Sequence, residues 1–206
     1  MSLISRFRRI IGGLLAFCML SSAAEAAPLI SKTYGYFSIG GKTAEELDLE
    51  LEQRGPLTNA TGHRHPGATE IKFGGEVTYV ERGDRCSVGD ARVTLRTHLI
   101  LPRWSNRRRA KKDLRFIWDT LLADIKRHEE RHAEIARGYA RNLERELLRL
   151  RPAGSCAKLE QKVGSTTKRV LEAHDRDQLR FDKVESKNFD DRMLRLLKYR
   201  MHQNDG

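Results

Sequence analysis

From Asp113 to Leu150 the apolar residues return every three or four positions, at Leu114, Ile117, Trp118, Leu121, Leu122, Ile125, Ile135, Ala136, Tyr139, Leu143 and Leu147. That period predicts one long amphipathic helix, with Lys126, Arg127, Arg131, Arg137 and Arg141 on its solvent face. After Arg151-Pro152-Ala153-Gly154, a second helical pattern starts at Ser155 or Cys156 and runs to about Phe181 on Leu159, Val163, Val170, Leu171 and His174. So short a connection makes the two helices antiparallel neighbours whose inner faces meet. Beyond Glu185 the chain is a charged tail with a short amphipathic run through Met193, Leu196, Leu197 and Tyr199 to Met201, suited to a final short helix.

Upstream of the long helix the period changes to two. Ala91 to Leu101 sets Val93, Leu95, Thr97, Leu99 and Leu101 on one side and Arg92, Thr94, Arg96 and His98 on the other, the pattern of a half-buried strand, either an ordinary core strand or an edge strand to which a substrate backbone could add. Lys32 to Ile39, Thr69 to Phe73 and Glu76 to Arg82 read as further extended runs, the last two separated by Gly74-Gly75. Between them Thr43 stands as the N-cap of a helix over Ala44 to Arg54 that Gly55-Pro56 stops, and Thr58 to Gly67 is a polar loop. The predicted fold is a single α+β domain over residues 27–185, with a small, mostly antiparallel sheet beside two long antiparallel helices and a tail over 186–206.

The chemistry sits inside the long helix. Residues 128–132 read His-Glu-Glu-Arg-His, an HExxH pattern within the apolar stripe between Ile125 and Ala136. Four residues of helix bring two imidazoles onto one face, within reach of a single cation. The adjoining Glu129 is then placed to act as a general base. A burial-facing His pair needs a partner, and Zn²⁺ is the expected one. Catalytic zinc takes three protein ligands and keeps one position open. The extended form HExxHxxGxxH is absent, since Ile135 and Gly138 occupy its Gly and third His positions. The facing helix offers His174, Asp182 and Glu185 instead. His98 on the polar side of its strand, and His63 and His65 in the loop, read as surface residues.

Address and charge narrow the partners. Arg6, Arg8 and Arg9, the apolar run Ile10 to Leu20 and Ala24-Glu25-Ala26 make residues 1–26 a cleavable signal peptide, so the mature chain is expected in the periplasm or outside the cell. In such a compartment Cys86 and Cys156 are expected to form a disulfide. Without the signal peptide the formal charge falls from +11 to +9. Export removes nucleic acid from the expected partners and leaves a protein or peptide substrate, with Arg107, Arg108, Arg109, Lys111 and Lys112 available to an anionic envelope surface.

Taken together these residues resemble the DUF922 family of predicted secreted zinc-dependent proteases. The resemblance rests on Gly55-Pro56, the strand preceded by Cys86 and ending in Leu101-Pro102-Arg103-Trp104, Trp118 upstream of His128 to His132, Cys156, Gln178 and Phe181-Asp182. It implies an exported zinc metallopeptidase with His128, His132 and Asp182 as ligands, His174 and Glu185 as the alternatives for the third, and Glu129 as catalytic base. The family's pattern continues with a His where this chain has Lys187. The competing expectation is an envelope scaffold or binding protein that retains a degenerate metal site without catalysis.

Overall fold

The computed structural model describes residues 27–58 and 62–204, so the expected signal peptide and its Cys18 lie outside the described residues. In chain order the elements are β1 (Leu29–Ile39), α1 (Ala44–Arg54), β2 (Ala68–Arg82), β3 (Arg85–Trp104), a 3-10 turn (Arg107–Arg109), α2 (Lys112–Leu148), α3 (Cys156–Lys187) and α4 (Phe189–Asn204). The fold is α+β, with two long antiparallel helices beside a three-stranded sheet of order β1-β3-β2. β2 and β3 pair antiparallel while β1 lies parallel to β3, so the sheet is mixed.

The middle strand is buried at alternate residues, as its period of two predicts. Ala91, Val93, Leu95, Leu99 and Leu101 are buried with Thr97 on one face of β3. Against them α2 sets Ala136 and Ala140, small enough for helix and sheet to approach closely, and then Leu143 and Leu147. A second cluster joins Leu47 and Leu51 of α1 to Ile39, Trp104 and Trp118. Its polar edge is closed by the Trp104 indole N–H, which donates to the Gly41 carbonyl at 3.0 Å. Ile117, counted with the apolar stripe, is instead 41% exposed beside this cluster.

Gly74-Gly75 does not divide the strand. β2 continues through both residues because a side chain there has no room: a Cβ on Gly75 would lie 2.4 Å from the Arg92 carbonyl oxygen, and one on Gly74 2.8 Å from Thr94 Oγ1. The chain reverses instead at Gly83-Asp84, where Gly83 has φ 59°, the positive φ that tight hairpin turns require.

Thr43 caps α1 by accepting from the Glu46 amide, and Ser155 caps α3 by accepting from that of Lys158. A disulfide joins Cys86 of β3 to Cys156 at the start of α3. α3 runs past Phe181 to Lys187, since neither Gly nor Pro lies between Gly164 and Lys187 and the last turns still carry inward side chains. The tail folds as α4, held to α2 by Arg192 on Asp124 and by Arg200 donating to Thr120 Oγ1. In the basic cluster, Arg107 is engaged by Asp119, leaving Arg108, Arg109, Lys111 and Lys112 exposed. No helix of the described residues is long and apolar enough to cross a membrane.

Candidate metal centre

Helical spacing does what the motif demands. His128 and His132 lie on the side of α2 that faces α3, and their Nε2 atoms are 3.0 Å apart. Asp182 enters from α3, with Oδ1 2.9 Å from His132 Nε2 and 3.3 Å from His128 Nε2. Among the described residues these three side chains form the cluster able to share one cation. Donors around a tetrahedral zinc, at bond lengths of about 2.0–2.1 Å, stand about 3.3 Å apart, so both the triangle and the donor chemistry fit that ion. Burial pushes the Asp182 carboxyl up, but hydrogen bonds from the two imidazoles outweigh it and hold the group well below the usual carboxylate range.

The rings are fixed from behind. His132 Nδ1 lies 2.5 Å from Gln178 Oε1 and donates there, which turns Nε2 to the cluster, where a cation would take the place of its proton. The Gln178 amide nitrogen spans the His132 carbonyl oxygen at 3.1 Å and His174 Nε2 at 2.8 Å. His174 in turn places Nδ1 2.9 Å from Asp175 Oδ1. Phe181 stacks on His128, its ring centroid 4.8 Å away, and meets His132 edge-on.

His174, the first alternative for the third position, is thus buried behind Gln178 against Phe73 and Tyr139. Glu185, the second, stands 3.6 Å from His128 Nδ1, on the side of the ring away from the cluster, and pairs with Arg127 and Arg192. Lys187 is the exposed last residue of α3.

Glu129 is buried, at 5% exposure, and points toward the sheet side of the helix. Thr69 of β2 holds it, donating from Oγ1 to Glu129 Oε2 at 2.8 Å and lying 2.9 Å from the Glu129 carbonyl oxygen. Gly67 closes over its other oxygen: a Cβ there would fall 3.0 Å from Glu129 Oε1 and 2.9 Å from Ile125 Cγ2. Burial raises the Glu129 carboxyl, against the lowering pull of the Thr69 hydroxyl and the two imidazoles. A carboxyl moved upward in this way holds a proton more readily than one in water.

A cleft of about 340 Å³ opens on the centre, lined by His65, Gly67, Ile125, His128, Glu129 and Phe189 among others. His65 therefore stands at the cleft rather than on the general surface, while His98 lies on the outer face of the sheet 2.8 Å from Thr33 Oγ1. Asp124 forms part of the cleft wall, clasped by Arg192 and Arg127. Thr69 and Gly67 carry no sequence signal of their own. Gln178 does, because His174, Gln178 and Asp182 follow at intervals of four on α3, opposite the interval of four in HExxH.

Neither the curated proteins nor the solved structures contain a match to this chain. A family model described as a bacterial protein of unknown function, DUF922, matches residues 34–189, a span that includes Thr69, His128, Glu129, His132, Gln178 and Asp182. The chain belongs to the DUF922 family.

Proposed function

We propose that this protein is an exported zinc-dependent metallopeptidase. The observation that carries the reading is the convergence of His128 Nε2, His132 Nε2 and Asp182 Oδ1, at mutual distances of 2.9 to 3.3 Å, beside the buried carboxylate of Glu129. His128, His132 and Asp182 would hold the ion, and zinc there would supply Lewis acidity at neutral pH.

The residues of the chain perform the proton work. Glu129, with one oxygen fixed by Thr69, takes a proton from the attacking water and later delivers it to the departing amine nitrogen. Gln178 and Glu185 orient the two imidazoles, so the centre keeps its geometry while charge moves across it. The floor of Ile125 and the cover of Gly67 exclude bulk water from the Glu129 carboxylate, which strengthens each polar contact there. Asp182 completes the triad, so Lys187 in place of a His does not leave the centre short of a third donor.

The test is purified chain 27–206 with one equivalent of zinc and an unfolded protein substrate. Expected is hydrolysis that stops on chelation and returns with zinc, and a Glu129→Gln variant that binds zinc with the same stoichiometry yet loses at least about a hundredfold in rate. Equal turnover by Glu129→Gln would remove the mechanism, and failure of the chain to retain zinc would remove the whole reading.

A further inference from the structure

Ala91 to Leu101, the candidate strand for a substrate to join, lies within β3. β3 is ruled out by its position, since it is paired on both sides. The two open sides belong to β1 and β2; of these β2 carries the Thr69 that holds Glu129, and its main-chain polarity follows from hydrogen bonds elsewhere in the sheet.

Residues that share a strand turn their main-chain N–H and C=O groups to alternate sides. The Ser105 amide donates to the Ile39 carbonyl, and the Thr33 hydroxyl to the Thr97 carbonyl, so the odd-numbered residues of β3 face β1. Val93 agrees: its amide projects past the beginning of β1, opposite Leu29↔Thr94, and is taken up by Glu144 Oε2 at 2.7 Å. Arg96, His98 and Ile100 therefore face β2, where their partners are Lys72, Glu70 and Ala68. Thr69, Ile71 and Phe73 are left with their main-chain groups directed to the open side, where no strand pairs with β2 among the described residues.

That open edge adjoins the centre. Thr69, the first residue to present its main chain there, is the residue whose hydroxyl holds Glu129. Phe73, the third, packs against His174 behind Gln178. We infer that the edge of β2 at Thr69, Ile71 and Phe73 binds an extended polypeptide as an added fourth strand, which lays its backbone past Glu129. The occupant is an unfolded segment of protein, because a row of alternating donors and acceptors recognises the peptide repeat itself. Side chains of that segment pointing outward meet Glu70 and Lys72, while alternate ones turn toward the cleft. The inference rests on the peptidase reading for its choice of occupant.

The experiment uses Glu129→Gln chain 27–206, and the unaltered chain under chelator, with reduced and carboxymethylated α-lactalbumin as a permanently unfolded probe. Amide hydrogen exchange is followed residue by residue by NMR. Expected is slowing of at least about tenfold at Thr69, Ile71 and Phe73 on addition of the probe, with Ala68, Glu70 and Lys72 unchanged because they are already paired with β3. Protection confined to β1 or α4, or no protection at any residue, overturns the inference. The outcomes separate the two claims: cleavage of the probe by zinc-loaded unaltered chain without edge protection removes the added strand alone. Edge protection without cleavage removes the peptidase and leaves a polypeptide-binding edge.

Discussion

Gln178→Leu isolates the support of the centre from the centre itself. Leu approximates the volume of Gln and the helix preference at that position, so the change removes polar contacts and little else. Three contacts go: the acceptor for His132 at 2.5 Å, and the donor to the His132 carbonyl and to His174. With its acceptor gone, His132 is free to turn and to put its proton on Nε2, where a cation would have to displace it. Partners of this kind are worth roughly 10- to 100-fold in metal affinity, about 1.4 to 2.7 kcal/mol. Stability should fall by about 1–3 kcal/mol, because His174 is left with a buried nitrogen lacking a partner. The assay is chelator competition for zinc at pH 7.5, paired with urea unfolding of the zinc-free chain. Gln178→Glu, which keeps an acceptor at the same reach, is expected to recover most of the affinity. Affinity within about twofold of the unaltered chain for Gln178→Leu would refute the idea that this side chain sets the direction of the His132 lone pair.

Gly67→Ala forces a methyl to within 3.0 Å of Glu129 Oε1 and 2.9 Å of Ile125 Cγ2; urea midpoints should show a loss of about 1–3 kcal/mol, and hydrolysis should fall while zinc content stays at one per chain. Asp124 titrates below its ordinary value of 3.8, since hydrogen bonds from Arg192 and Arg127 outweigh a burial that pushes it up. Its ionised form is therefore favoured by folding, and that stabilisation is present above about pH 4 and lost as the pH falls further. Comparing Arg192→Met with the unaltered chain by urea unfolding, the stability gap should be full at pH 7 and shrink below pH 4; a gap independent of pH would disprove the coupling. Replacing Cys86 and Cys156 by Ala opens a loop with a sequence separation of 70; the chain-entropy model gives a loss of about 4 kcal/mol, measurable by denaturant midpoint.

The helices were legible because periodicity of 3.6 persists for many turns, so chance apolar positions average out. The caps at Thr43 and Ser155 were legible because a short hydroxyl ahead of an apolar period has one efficient use. Gly74-Gly75 misled for a physical reason: glycine marks a turn when its φ is needed and a strand when its missing side chain is needed, and composition does not separate the two. The end of α3 was read short at Phe181, since apolar spacing marks only the residues that pack on carbon, whereas Asp182 and Glu185 pack on imidazole and guanidinium. The edge of the sheet was misassigned for want of pairing order, which a strand's own sequence does not encode. Thr69 and Gly67 stayed hidden because their roles exist only where a loop and a strand from one half of the chain meet a helix from the other.

α3 is lashed to the rest of the molecule by bonds that need no metal ion: covalently at Cys156, and through Glu185 with Arg127 and Arg192, Arg169 with Glu146, and Asp177 with Tyr139. Small zinc-folded modules rely on their cation to hold the backbone together. Here the scaffold stands on its own fastenings, so removing the proposed zinc should end the proposed hydrolysis yet leave the shape intact, and its return should need no second round of folding.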